Sequence, residues 1–338
     1  PETREYISET RFSPPSTQHV STSVLNGSTL FATHEITRHR YRHRGNTHQN
    51  RAGNLTTGQV EAMRVAPTET EDGGRFLDEI GNAIRQLKGI AADEGVTING
   101  VGIGVPGFVF ASGMVDSTYG FLEFMEDYPL ADFIQQQHGL PCLLDNDARV
   151  VALGEALYGQ GRGHNRVLVL TLGTGLGVGF VVDEKLDGRL PYGHMGGHLT
   201  ITTNDTVCYC GKTGCLESLV SSGGVLRIAD RLGWPSRYPE LPRTAEAIFT
   251  QKQTGNPDAG AVVAEYMQYL KTGIDNYVNL YAPDLIVLGG GIAKGLRHDL
   301  DKLYNANLLH AYKTYKTTLV LSELEEQAGI LGSAALFR

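Results

Sequence analysis

A chain of 338 residues with a net charge of -8 and 41% apolar residues has room for two packed domains and an ordinary soluble composition. Its acidic balance argues against a general affinity for nucleic acid or anionic membranes. Four cysteines are too few for a disulfide scaffold. The most apolar stretch, residues 167–182, is interrupted by glycines and threonines, so it reads as a buried hairpin and not a membrane span. No signal-peptide series opens the chain, and a cytoplasmic location is expected.

Residues 1–53 are rich in Thr, Ser, His and Arg, with no sustained period, and regular structure is not expected there. "LTTGQVEAMRV" places a turn at Thr57-Gly58 before a strand-like mixture. Phe76, Leu77, Ile80, Ile84, Leu87 and Ile90 recur at helical steps. "GVGIGVPG" (Gly100 to Gly107) predicts a buried strand ending in a Pro-Gly turn. "PLADFIQQQHG" predicts a short helix closed by Gly139. "PCLLDND" is a strand with a polar end, and "ARVVALGEALYGQG" has helical spacing. "NRVLVLTLGTGLGVGFVVDEK" predicts two strands joined by a glycine-rich turn. Helices are expected near 216–232 and 260–280. "PDLIVLGGGIAKG" is a buried strand running into glycines and a helix, and "TTLVLSELEEQAGILGSAALF" is a strand and a closing helix. Strands alternating with helices, with glycine turns at strand ends, predict an α/β plan whose ligands sit at the carboxyl ends of the strands.

Three of the four cysteines, Cys208, Cys210 and Cys215, fall in "CYCGKTGCLE". Gly211 and Gly214 let the backbone fold around a small centre. Three thiolates need a fourth ligand for a tetrahedral zinc site, and His198 and His194 are the nearest upstream candidates. The plainer alternative is three free thiols on a loop. A structural zinc would also fix the direction of Glu217, two residues beyond the last cysteine. "LGTGLGVG" (Leu172 to Gly179) and "LGGGIA" (Leu288 to Ala293) each let backbone N–H groups approach phosphate oxygens, and together they suit a nucleotide wedged between two strand ends. "LDNDAR" puts Asp145, Asn146 and Asp147 at a strand end before a helix. An aspartate there is either an N-cap or a general base that takes a hydroxyl proton, with Asn146 orienting the substrate and Gly107 bringing a second backbone close.

These pieces together resemble the ROK family (repressors, open reading frames and kinases), a branch of the actin-like, ribonuclease-H-like sugar kinases. The resemblance runs from about Leu55 to the end. "GHLTITTNDTVCYCGKTGCLE" matches the family's Gly-His followed by Cys-x-Cys-Gly-x-x-Gly-Cys-x-Glu. It implies a structural Zn2+ on His198, Cys208, Cys210 and Cys215, and sugar contacts from His198 and Glu217. "NDA" matches the catalytic segment, which makes Asp147 the base and Asn146 a sugar contact, beside Gly107. Gly173, Thr174 and Gly175, with Gly289, Gly290 and Gly291, match the ATP-binding turns. The implied fold is a two-domain actin-like architecture. Its small lobe would span 1–146, completed by the helix at 325–338, and its large lobe 147–324. The implied reaction is phosphoryl transfer from MgATP to a hexose of the glucose, fructose or N-acetylated hexosamine class. A homodimer is expected on the same basis.

Two features depart from the family pattern. The usual Asp-Ile-Gly-Gly-Thr phosphate turn is missing, and its place holds "THEITRHRYRHRGNTHQNRAGN". That segment is a basic arm, a disordered tail on a degenerate kinase, or the product of a shifted reading frame. Read one base later, codons for "RHRYRHRG" can encode Asp-Ile-Gly-Thr-Gly-Thr-Gly. Resequencing the gene tests this, and a chain with this N-terminus is expected to turn over weakly. Second, Met195 stands where the family has a sugar-binding Glu. His194 is either its substitute or a surface loop residue, and Tyr119 and Glu123 carry no clear assignment. A sugar-binding pseudokinase and a transcriptional regulator are the rival readings. The second is disfavoured because the residues before Leu55 lack apolar helical spacing.

Overall fold

In the computed structural model the described residues are 18–24, 29–37, 52–54, 59–69, 71–93, 95, 97–117, 122–187, 191–303 and 315–338, the strands before residue 69 as backbone only. The chain opens with strands β1 (Gln18–Val24), β2 (Thr29–Thr37), β3 (Ala52–Asn54) and β4 (Gln59–Thr68), followed by helix α1 (Gly73–Asp93). Next come β5 (Ile98–Val105), the short hairpin strands β6 (Phe108–Val109) and β7 (Val115–Asp116), α2 (Leu130–His138), β8 (Cys142–Asn146) and α3 (Asp147–Tyr158). The hairpin β9 (Arg166–Leu172) and β10 (Leu176–Val182) leads into α4 (Leu216–Val220), α5 (Ser222–Arg231), α6 (Trp234–Arg237), α7 (Ala245–Gln253) and α8 (Pro257–Tyr281). The last elements are β11 (Leu285–Gly289), α9 (Gly291–Gly295), α10 (Leu300–Leu303), β12 (Thr318–Leu321) and α11 (Gln327–Ala335).

Two sheets organise these elements. The first has the order β3-β4-β1-β2-β5-β8, with β2, β5 and β8 parallel and β1 antiparallel to both of its neighbours. The second has the order β10-β9-β11-β12, with β9, β11 and β12 parallel. The expectation of no regular structure before residue 54 is corrected by β1 and β2, which sit inside the first sheet. Their signal is weak but present: Val20, Thr22 and Val24 alternate along β1, and β-branched residues at period two suit a strand. Residues 38–45, which carry the reading-frame argument, lie outside the described residues.

Elsewhere the elements follow local chemistry. The Asn256 side chain accepts from the N–H groups of Asp258 and Ala259 at the start of α8, where Pro257 occupies the first turn without losing a bond. Gly139, at φ 66°, closes α2 as anticipated. The helix expected over 216–232 is broken at Ser221, whose backbone is extended and whose hydroxyl caps α5 through Gly224 N–H. Helix α7 was not anticipated, and its start is marked by Thr244 accepting from Ala247 N–H.

Helix α3 joins the two sheets. On one side it packs on β9 and β10, where Ala152 shares a core with Val167, Val169, Val181 and Val287. On the other side it crosses α11 at glycines. A Cβ on Gly154 would sit 1.9 Å from the Ala328 carbonyl oxygen, and one on Gly332 would sit 1.6 Å from that of Val150. The two helix backbones therefore touch. Gly102 of β5 repeats the device against the Ser333 carbonyl, at 2.0 Å. Gly332→Ala is expected to destabilise the fold by more than about 3 kcal/mol, since relief requires moving one helix off another. Gly89→Ala, in α1 with nothing within 4 Å of its Cβ, should instead add up to about 1 kcal/mol. Urea unfolding of both variants checks the contrast.

Candidate active site

At the end of β8 the three polar residues have different partners. Asp145 is taken by Arg149, whose Nε lies 2.6 Å from Asp145 Oδ1 in a largely buried ion pair. Asn146 is the helix cap. Its Oδ1 accepts from Ala148 N–H at 3.0 Å and Arg149 N–H at 3.2 Å, while its Nδ2 donates to the Gly107 carbonyl at 3.0 Å. Gly107 is needed for conformation as well, with φ 93° and a Cβ position 2.5 Å from the Asp116 carbonyl oxygen. Asp147 is left without a cationic partner among its described contacts. Burial raises its carboxyl to about pKa 6, against the lowering effect of hydrogen bonds from Ala148 N–H and Asn146.

Glu217, in the first turn of α4, is a buried carboxyl, where Asp147 is half-buried. Its Oε1 accepts from Leu176 N–H at 3.3 Å, and the Tyr209 hydroxyl lies 3.1 Å from each of its oxygens. Burial is the main cause that lifts it to about pKa 7, and the nearby Asp147 charge adds to the shift. That electrostatic coupling puts the two carboxyls in one region. Gly175 and Gly197 make room for Glu217, since Cβ atoms there would lie 2.5 Å from its Oε1 and 3.2 Å from its Oε2.

His198, Cys208, Cys210 and Cys215 bring four ligand atoms within 4.8 Å of one another. A tetrahedral zinc with Zn–S near 2.3 Å and Zn–N near 2.0 Å implies ligand–ligand edges of roughly 3.5–3.8 Å. His198 Nδ1 lies 3.5 Å from Cys208 Sγ, and Cys210 Sγ lies 3.7 Å from Cys215 Sγ. Burial pushes the Cys208 thiol well above its usual range, a cost that a bound cation reverses. The donor set therefore fits zinc, with His198 and not His194 as its fourth member.

His194 is not the surface residue of one alternative. Its ring packs on Phe108 at 5.2 Å, its Nδ1 is buried without a hydrogen-bond partner, and burial lowers it to about pKa 4. Glu123 lies on an exposed turn, and Tyr119 falls outside the described residues.

The glycine turns lie side by side, because β9 and β11 are parallel neighbours with Gly289 opposite Thr171. Gly290, at φ 85°, would place a Cβ 2.4 Å from the Leu172 carbonyl oxygen, so the turns touch through backbone. Gly173 and Gly291 have nothing within 4 Å of a Cβ position. The Gly173 carbonyl accepts from both the N–H and the hydroxyl of Ser222 at the start of α5. Thr174 is half-buried between them. Gly175 faces Glu217 as well as the turn, so one residue borders both halves of the site. Sequence reasoning missed Tyr209 and the Asp145–Arg149 pair. Arg149, four residues after Asp145, was the available signal for the pair, and nothing in the sequence pointed to Tyr209.

A family model described as ROK family matches residues 50–338. The chain belongs to the ROK family. It is 33% identical over 260 residues to a glucokinase of Halalkalibacterium halodurans, covering 71% of this chain and 76% of that one. It is 29% identical over 249 residues to a xylose repressor of Caldicellulosiruptor bescii, covering 71% of this chain and 62% of the repressor. Among solved structures, the ROK hexokinase from Thermus thermophilus superposes with a TM-score of 0.69 at 26% identity, covering 94% of this chain and 96% of that one. The fold is accordingly the two-domain actin-like one.

Two outcomes follow from this geometry. Elemental analysis of the purified chain is expected to find one zinc per chain, sharply reduced in Cys210→Ser. The raised carboxyls carry a stability consequence whose sign is fixed. The native state binds more protons than the unfolded chain between about pH 4 and pH 7, so ligand-free stability falls as pH rises through that window. Asp147→Asn should raise stability at pH 7.5 by on the order of 2 kcal/mol. That gain should vanish near pH 4 in paired denaturation curves.

Proposed function

We propose that this protein transfers the γ-phosphoryl group of MgATP to a hydroxyl of a hexose, of the glucose, fructose or N-acetylated hexosamine class. The carrying observation is the pair of carboxyls, half-buried Asp147 and buried Glu217, both held above their ordinary pKa by desolvation, beside two touching glycine turns at parallel strand ends. Asp147 is the general base. It starts a helix, has no cationic partner among the described residues, and is ionised above about pH 6. As the sugar oxygen attacks phosphorus in line, the proton passes to the Asp147 carboxylate. Asn146 fixes that carboxylate and ties it to Gly107. Glu217 and His198 hold sugar hydroxyls. Gly173, Thr174 and Gly175, with Gly289, Gly290 and Gly291, receive the nucleotide, and most of the rate comes from positioning.

His198, Cys208, Cys210 and Cys215 would hold the zinc, which supplies a structural clamp for the loop leading to Glu217. The small lobe, 1–146 with 325–338, and the large lobe, 147–324, close on the sugar and exclude water. A homodimer in the cytoplasm completes this reading. Among the described residues, no helix is long and apolar enough to cross a membrane.

A second reading, sugar binding without turnover, is favoured by the absence of the usual phosphate turn near residues 38–45. The repressor relative makes sugar-responsive regulation a third. An ADP-release screen over hexoses and N-acetylated hexosamines separates turnover from binding alone. Asp147→Asn should lower kcat by about 10²–10⁴-fold with sugar binding kept in calorimetry. In the parent enzyme kcat/KM should rise with pH through about 6–7. A pH-independent rate, or an active Asp147→Asn variant, overturns the assignment.

A further inference from the structure

The Tyr209 hydroxyl already occupies the groups assigned to the sugar. It lies 3.1 Å from both Glu217 oxygens and 3.4 Å from His198 Nε2. Glu217 turns its remaining polar contacts inward, Oε1 to Leu176 N–H and Oε2 towards His198 Nδ1 at 3.5 Å. A polyol hydroxyl approaching Glu217 from outside therefore meets the phenol first. The phenol also copies the sugar's chemistry. Nδ1 of His198 faces the thiol cluster, so its Nε2 faces the phenol. One hydroxyl then sits between an imidazole nitrogen and a carboxylate, donating to the carboxylate as a sugar hydroxyl would.

Tyr209 is built to move as a side chain and not as a loop. Cys208 and Cys210 flank it and belong to the cluster that fits zinc. The Cys208 N–H donates to the Lys212 carbonyl and its carbonyl accepts from Gly211 N–H, which anchors the backbone. Tyr209 is 53% exposed, and among the described residues its ring meets His198 in an edge-on arrangement at 5.2 Å. Rotation of the side chain delivers the ring to solvent and uncovers Glu217.

We propose that Tyr209 is an internal competitor for the hexose, which has to swing its phenol off Glu217 and His198 before the substrate seats. This rests on the reading that Glu217 and His198 hold the sugar. Apparent affinity is then divided by the fraction of molecules with the phenol displaced. Removing the hydroxyl removes the competition and keeps the ring against His198.

The test is calorimetric titration of the full chain, without ATP, using D-glucose and N-acetyl-D-glucosamine in turn. Tyr209→Phe is expected to tighten Kd by about 3–20-fold, with zinc content unchanged. In turnover it should lower the sugar KM by the same factor and leave kcat alone. An unchanged or weaker Kd overturns the proposal, since a tyrosine that contributes to sugar binding would lose affinity. A second measurement does not depend on the variant's folding. In protein labelled with 3-fluorotyrosine, the Tyr209 fluorine resonance should move towards its solvent value when sugar is added, and a stationary signal refutes displacement. Glu217→Gln separates the levels. If it binds sugar like the parent, or if neither the parent nor Tyr209→Phe binds either sugar, the sugar-site reading fails, whereas binding gained only in Tyr209→Phe supports the competitor. If it loses binding while Tyr209→Phe leaves Kd unchanged, only the competitor is wrong.

Discussion

The site is held in place by one amide side chain. Asn146 caps α3 with its oxygen and reaches the Gly107 carbonyl with its nitrogen. The helix that begins with Asp147 is thereby tied to the turn after β5. That tie fixes where the neighbouring carboxyl begins, since Asp147 is held by the Ala148 N–H and by no cation among the described residues. The neighbouring Asp145–Arg149 pair completes the corner by removing a competing charge. Of three adjacent polar residues, one is paired with Arg149, one caps the helix and reaches Gly107, and the third keeps a carboxyl with no cation among the described residues.

The same economy appears around Glu217. Two glycines, Gly175 and Gly197, give it space, and the cysteine cluster sets the path of the chain that leads to it. A carboxyl pressed into such a space resists ionisation, and so does Asp147. Both are destabilising as built, which is the usual condition of groups kept for chemistry and not for folding. Tyr209 relieves part of that cost for Glu217 when no ligand is present.

Much of this was legible in the sequence because it is written in local signals. Helical spacing from Phe76 to Ile90, the glycine turns at strand ends and the clustered cysteines each report on residues close together in the chain. The choice of Asp147 over Asp145 was less legible, since it depends on which side chain caps and which pairs with Arg149. The strands before residue 54 escaped because their alternation is carried by Val and Thr among polar residues, with few large apolar groups. The burial of His194 against Phe108 and the placement of Tyr209 over Glu217 are long-range or rotameric facts. No spacing rule encodes them.

The crossing of α3 and α11 at Gly154 and Gly332 also constrains how the molecule is made. Helix α11 lies against β2, β5 and α3, so the first sheet, though translated early, stays without that cover until everything between has left the ribosome. Of the second sheet, β9, β10 and β11 with the helices between them can condense earlier, and only its edge strand β12 waits as long as α11. Nascent chains should therefore expose the first sheet for most of synthesis, making it the part that depends on chaperones.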